Sequence, residues 1–292
     1  MTRNQFFIYG NPRSGSSLLR LLLNSHSKIC VPPECGFYHW LASKYGSWNQ
    51  SNLNPIDIDN YIDDLQNSKK FETWLLPSSL IRKVIDDNRP QDYNALSTCV
   101  YLSYAFLHDK QPELLGDKNN YYIKHLDELD RMAPDKFIIH IVRDGRDTAC
   151  SYREIKHIDS SHKYKPNLPT DITEIAEEWR VNNLNIFNFY ETRDNYILIK
   201  YEDILKTPIK ALSQILEALQ LEFEPEMLDF YKNNQLKQLE PKETVAWKQK
   251  TLQPIDAKDI GIYKRKLAKL EIEQFNKTAK DALKLFKYDV KC

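Results

Sequence analysis

The sequence has no excess charge of either sign: Lys plus Arg and Asp plus Glu both total 41 in 292 residues, so the formal net charge is zero. That balance excludes the global basic field with which a protein draws in nucleic acid or an anionic membrane, and any anion site must be local. Cysteine is scarce. The five residues Cys30, Cys35, Cys99, Cys150 and Cys292 contain neither a C-x-x-C pair nor zinc-ligand spacing, which excludes a disulfide framework and leaves reduced, mostly buried thiols. No apolar run approaches the 18 or so residues of a membrane span. Residues 1–5 pass at once into Phe6-Phe7-Ile8-Tyr9 and leave no room for a secretory leader, so a cytoplasmic chain is expected. Glycine is equally sparse, with seven in the chain, and five of them (Gly10, Gly15, Gly116, Gly145 and Gly261) fall within the segments singled out below.

What is present is an ordinary globular composition, 41% hydrophobic and 28% charged, in a length that suits one large α/β domain or two small ones. Residues 6–9 form a short apolar run ending in Gly10. The leucine-rich stretch 16–24 follows with helical periodicity, so the N-terminus reads as strand, loop, helix. Further buried strands are predicted at 29–31, stopped by Pro32-Pro33, at 136–142 and at 195–200. Helices are predicted at 122–131, 146–157, 172–191 and 208–219, and one amphipathic closing helix at 271–286. Residues 37–112 lack β-branched runs and read as a helical insertion or cap. Strands alternating with helices imply a mainly parallel sheet covered on both faces. The polar, Lys-rich stretches 159–169 and 235–253 read as loops.

In such a sheet ligands bind beyond the carboxyl ends of the strands. The first strand is followed by Gly10-Asn11-Pro12-Arg13-Ser14-Gly15-Ser16-Ser17, the second by Glu34, the third by Arg143-Asp144-Gly145-Arg146 and the fourth by Tyr201-Glu202-Asp203. The first segment has the G-x-x-x-x-G spacing of a phosphate-binding loop, in which backbone N–H groups and a helix N-terminus wrap an anion. Ser16 stands where a nucleotide hydrolase places its lysine. Arg143 at a strand end and Ser151 two helical turns on suit a second anion site. Each segment also has a plainer reading: a helix turn capped by Ser14 or Ser16, Arg143 paired with Asp144 or Asp147, and Glu34 as a solvated carboxylate paired with Lys28 or Arg20.

Taken in order, Phe7 through Arg20, Gly116-Asp117-Lys118, Val142 through Ser151, Tyr201-Glu202-Asp203 and Ile260 through Lys264 resemble the sulfotransferases that use 3′-phosphoadenosine 5′-phosphosulfate (PAPS). Arg13 followed by Glu34 after Pro32-Pro33 resembles the bacterial branch related to the tyrosylprotein and carbohydrate enzymes. The resemblance implies a P-loop NTPase-like parallel sheet flanked by helices, in a single sulfotransferase domain over 1–292. It implies that Arg13, Ser14, Gly15, Ser16 and Ser17 hold the 5′-phosphosulfate and that Arg143 and Ser151, with Lys264, hold the 3′-phosphate. Tyr201 then lies at the adenine region, Glu34 is the general base, and Arg13 and Lys118 assist at the transferring group. The product nucleotide is adenosine 3′,5′-bisphosphate (PAP).

The acceptor implied is a small-molecule alcohol or carbohydrate, with no nucleic acid partner and no metal. Acceptor identity and oligomeric state stay open at this stage. A rival base is His125, on the predicted helix 122–131, against a packing role there; His26 reads as structural, at the end of the first helix. Phe37, Tyr38, Trp40, Tyr45, Trp48 and Trp74 read equally as an acceptor-pocket lining or as the core of the helical block. The alternatives in function are a P-loop nucleotide kinase or hydrolase, against which Ser16 speaks, and a non-catalytic PAP-binding protein.

Overall fold

The computed structural model describes residues 4–49, 55–159 and 161–290. Five parallel strands, β1 (Asn4–Tyr9), β2 (Ile29–Cys30), β3 (Leu114–Lys118), β4 (Phe137–Val142) and β5 (Tyr196–Lys200), form one sheet in the order β2-β3-β1-β4-β5. Side chains alternate across a strand, and the sheet sorts them accordingly. Phe7 and its register partner Ile138 enter one core cluster; Ile8 and its partner Ile139 enter the cluster on the opposite face. Both faces are covered, which is why these strands read as continuous apolar runs.

The helix α1 (Ser16–Asn24) buries Leu19, Leu21, Leu22 and Leu23 against the face of Phe6 and Ile8, together with α10 (Tyr201–Lys206) and α11 (Pro208–Ala218). The predicted helical block is present between β2 and β3. It comprises α2 (Phe37–Trp40), α3 (Ala42–Tyr45), α4 (Pro55–Gln66), α5 (Ser78–Asn88) and α6 (Tyr93–Leu107). Phe37, Tyr38, Tyr45, Trp48 and Trp74 are buried in the core it makes with Phe7 and Tyr9, so their role is packing.

The remaining crossovers use α7 (Leu126–Met132), α8 (Gly145–Lys156) and α9 (Ile172–Tyr190). The chain ends in α12 (Phe230–Lys237), α13 (Lys242–Val245), α14 (Tyr263–Lys266), α15 (Lys269–Thr278) and α16 (Lys280–Leu285). No helix among the described residues is long and apolar enough to cross a membrane. Cys30, Cys35, Cys99 and Cys150 are free and buried, while Cys292 lies outside the described residues.

Four features depart from the sequence reading, the first being that the stretch 235–253, read as a loop, holds the end of α12, α13 and a 3-10 turn at Gln249–Leu252. Strand β3 was not anticipated, because Leu-Leu-Gly-Asp-Lys carries two charges and a glycine, yet all five residues are buried. Its Asp117 is admitted to the interior by the Tyr101 and Tyr122 hydroxyls, which donate to Oδ2 at 2.7 and 2.9 Å. The predicted helix 122–131 is a 3-10 turn, Asn120–His125, followed by α7. The predicted closing helix is two helices, α15 and α16, meeting at Ala279.

Candidate functional site

The order β2-β3-β1-β4-β5 places the carboxyl ends of β1, β3, β4 and β5 around one cavity of about 390 Å³. Its wall includes Arg13, Gly15, Ser16, Ser17, Glu34, Lys118, Arg143, Ser151 and Tyr201, so stretches far apart in sequence converge as the motif analysis anticipates.

The loop after β1 turns sharply. Arg13 and Gly15 both adopt left-handed backbone, φ 68° and 94°, and Ser14 N–H closes onto the Asn11 carbonyl at 3.1 Å. Gly15 admits no side chain: a Cβ there would stand 2.2 Å from a ring carbon of Tyr201. No side chain caps the N-terminus of α1, so the plain serine-capped turn is not what forms. Ser14 does not line the cavity: its hydroxyl is buried beside Gly10 without a hydrogen-bond partner, while Ser16, on the wall, donates through Oγ to Asn120 Oδ1 at 3.3 Å.

At the end of β4, Asp144 caps α8 by accepting from Arg146 N–H, and Glu202 accepts from Asp144 N–H at 2.9 Å, which ties the β4 and β5 ends together. Asp144 pairs with Arg146, which frees Arg143. The Arg143 guanidinium lies over the Tyr201 ring, 4.9 Å from its centroid, and donates to the Arg13 carbonyl at 3.3 Å. Its Nε is buried and unpartnered. Arg13 Nε donates to Ser151 Oγ at 3.0 Å. Desolvation, and then the neighbouring Arg143, push the Arg13 guanidinium down to about 10. Two cations held so close repel, and a polyanion between them removes that repulsion.

Glu34 is fixed from both sides. Arg20, buried in α1, donates to the Val31 carbonyl at 3.1 Å and Trp74 Nε1 to the Pro33 carbonyl at 3.0 Å, so the segment leading to Glu34 is strapped to α1 and to the helical block. Its carboxylate does not pair with Lys28, which bonds Glu113, or with Arg20, which bonds Glu240. Instead it takes Lys118 Nζ at 2.6 Å and Lys70 Nζ at 2.5 Å. Burial alone would raise the Glu34 pKa. The Lys118, Lys70 and Lys248 ammoniums outweigh burial and hold the carboxyl well below the usual range, so it is ionised at neutral pH.

Not every anticipated residue arrives. Lys264 does not line the cavity: Tyr263 N–H donates to buried Asp147 and the Tyr263 ring turns inward, which leaves Lys264 exposed on the outside of α14. His125 is also elsewhere, packed against His39 with ring centroids 4.1 Å apart and the rings tilted by 34°, and beside Glu128. His26 is structural: Nε2 meets the Glu222 carbonyl at 2.9 Å and Nδ1 accepts from Lys28 N–H.

The structure adds groups that sequence reasoning passed over. Lys70 comes from the helical block. Lys248 comes from the stretch read as a polar loop, and it pairs with Glu240, a buried carboxylate that also binds Arg20. Tyr164 and Trp247 pack with Ile155 and Leu168 to give the cavity an apolar side. The short apolar run Val245-Ala246-Trp247 within the charged stretch was the available signal for the segment that carries Lys248.

With this geometry in view, the sequence profile of the sulfotransferase family matches residues 5–225. No curated protein sequence matches significantly. Among solved structures the chain is similar to the sulfotransferase domain of the Synechococcus PCC 7002 olefin synthase, at 21% identity and TM-score 0.60, covering 98% of this chain and 95% of that one. It is also similar to the sulfotransferase domain from the curacin biosynthetic pathway, at 24% identity and TM-score 0.51, covering 90% and 97%.

Proposed function

The chain belongs to the sulfotransferase family, and on that premise we propose that it moves a sulfuryl group from PAPS to a hydroxyl of a small-molecule alcohol or carbohydrate, with Glu34 as general base. The observation that carries this reading is the grouping of Arg13, Lys118 and Arg143 with the ionised carboxylate of Glu34 around a single cavity. We further assign the chain to the bacterial branch related to the tyrosylprotein and carbohydrate enzymes, on the Arg13 and Glu34 pattern, and treat 1–292 as one sulfotransferase domain.

One orphaned polar atom supports the fit of the nucleotide: Arg143, on the cavity wall, has a buried Nε with nothing to bind, and buried donors normally have acceptors. Phosphate oxygens are suitable ones. In this reading the loop amides, Ser16 and Ser17 take the 5′-phosphosulfate, Arg143 and Ser151 take the 3′-phosphate, and Tyr201 flanks the nucleoside. Arg13 leaves Ser151 for the transferring group.

Sulfuryl transfer, like phosphoryl transfer, asks the protein for in-line positioning and for charge stabilisation on the peripheral and leaving oxygens. The acceptor oxygen forms a bond to sulfur as the bond from sulfur to the phosphate oxygen breaks. The acceptor proton passes to Glu34, and the products are a sulfate ester and PAP. Lys118 can release Glu34 and turn to the leaving oxygen, because Lys70 keeps hold of the carboxylate.

The test is transfer from radiolabelled PAPS to a panel of alcohols and sugars. Wild type labels at least one class, and Glu34→Gln loses roughly 10²–10⁴ of that rate. A wild-type protein that binds PAP and labels nothing in the panel or in a cell extract overturns the catalytic reading in favour of a binding protein.

A further inference from the structure

We propose a second site, outside the sulfuryl cavity, that binds a zinc-class divalent cation through His39, His125 and Glu128. His39 lies on α2 in the helical block, His125 closes the 3-10 turn after β3, and Glu128 sits in the first turn of α7. Eighty-nine residues separate His39 from Glu128, so no spacing in the sequence announces the set. In space, one ligand atom from each of the three lies within 4.8 Å of the other two.

The distances suit the ion. Bonds of ~2.0–2.1 Å to a tetrahedral zinc put its ligand atoms about 3.3 Å apart. His39 Nε2 is 2.6 Å from Glu128 Oε2 and His125 Nδ1 is 3.5 Å from Oε1, which bracket that value. The adjustment required falls on the Glu128 side chain, which is 53% exposed and free to rotate, while the two imidazoles are 11% and 25% exposed and held by their packing on Tyr121. Two imidazoles and one carboxylate favour zinc, cobalt or nickel over magnesium or calcium, which prefer all-oxygen sets. Glu128 is open to solvent, so water can complete the shell.

The affinity has a structural ceiling. When His39 Nε2 turns its lone pair to a cation, the ring proton resides on Nδ1, which is buried with no protein partner. Missing second-shell acceptors lower metal affinity by roughly 10–100-fold, so binding in the micromolar range is expected and not the nanomolar range of a closed structural site. The consequence is mechanical. The cation joins the helical block to the segment that begins at Asn120, the partner of Ser16, and therefore stiffens one wall of the sulfuryl cavity without touching it.

The experiment uses the full chain stripped with chelator and titrated calorimetrically with zinc chloride alone. One equivalent binds with micromolar Kd, His39→Ala/His125→Ala weakens binding at least tenfold, and His157→Ala/His162→Ala leaves it unchanged. As a check that needs no variant, cobalt added to wild type gives the visible absorption of a four- or five-coordinate ion. Equal binding by the His39/His125 variant, or the spectrum of hexa-aqua cobalt with wild type, overturns the proposal.

Discussion

Glu34 is the proposed general base, and two lysines hold its carboxylate. Lys118 is nearly fully buried and sits at the end of β3, whereas Lys70 has left-handed backbone at the edge of the helical block, φ 71°. An opposite charge this close lowers a carboxyl pKa by roughly 1–3 units. Removing Lys70 therefore lets burial raise Glu34, and the acid limb of the rate profile moves to higher pH, by about one unit or more in Lys70→Met. Lys70→Arg restores the wild-type limb. A limb that stays in place in Lys70→Met shows that Glu34 is not the group titrating.

Legibility at this scale followed chain distance. Arg13, Glu34, Arg143 and Ser151 each follow a strand within a short motif, so the sequence placed them. Lys70 reaches Glu34 only through the packing of the helical block, with no local pattern to mark it, and Lys248 acts on Glu34 by its charge from the segment where it pairs with Glu240.

Among the elements, the loop from Gly10 to α1 is the most constrained, because Gly15 meets the Tyr201 ring with left-handed backbone. Gly15→Ala is expected to push Tyr201 away from Arg143 or to open the turn. The check is twofold: thermal unfolding, where a loss of about 1–3 kcal/mol from backbone strain and overlap is expected, and nucleotide binding, which falls with it. Wild-type stability together with wild-type binding would refute the packing of Tyr201 on the loop.

Strand β3 shows why an element can hide. Its polar residues are buried because Asp117 has two tyrosine hydroxyls and Lys118 has Glu34, all supplied from elsewhere in the fold. Periodicity sees the charges and not their partners. The break between α15 and α16 was invisible because Ala279 is a good helix former, yet its backbone leaves helical values there, φ −105° and ψ 22°, with Phe275 and Leu283 on either side buried in one core cluster.

For the molecule as a whole, the parallel sheet and its two covered faces followed from apolar runs alternating with amphipathic helices, while the strand order did not. The interior also holds a polar liability. Lys136 Nζ lies over the Phe7 and Tyr38 rings and donates to Asn94 Oδ1 at 3.1 Å; burial pushes its amine down to about 7, against the pull of Asp117 and Asp92. Between that value and the ~10.4 of an unfolded lysine, the unfolded chain binds more protons than the folded one, so this residue makes stability rise with pH. Lys136→Met is expected to have a higher Tm than wild type at pH 6, with the gap closing by pH 10. Lys248, lowered to about 8, acts in the same direction in both proteins and cancels in the comparison. A gap that does not depend on pH would mean that Lys136 does not titrate in this window.

The central claim is that one cavity at the carboxyl edge of the sheet holds both phosphate ends of an activated-sulfate nucleotide. Calorimetric titration of PAP into wild type and Arg143→Ala tests it most directly. The account predicts one equivalent bound by wild type and at least about tenfold weaker binding by the variant, the loss of a charge-assisted hydrogen bond worth roughly 1.5–3 kcal/mol. No binding by wild type, or equal binding by the two proteins, would contradict it.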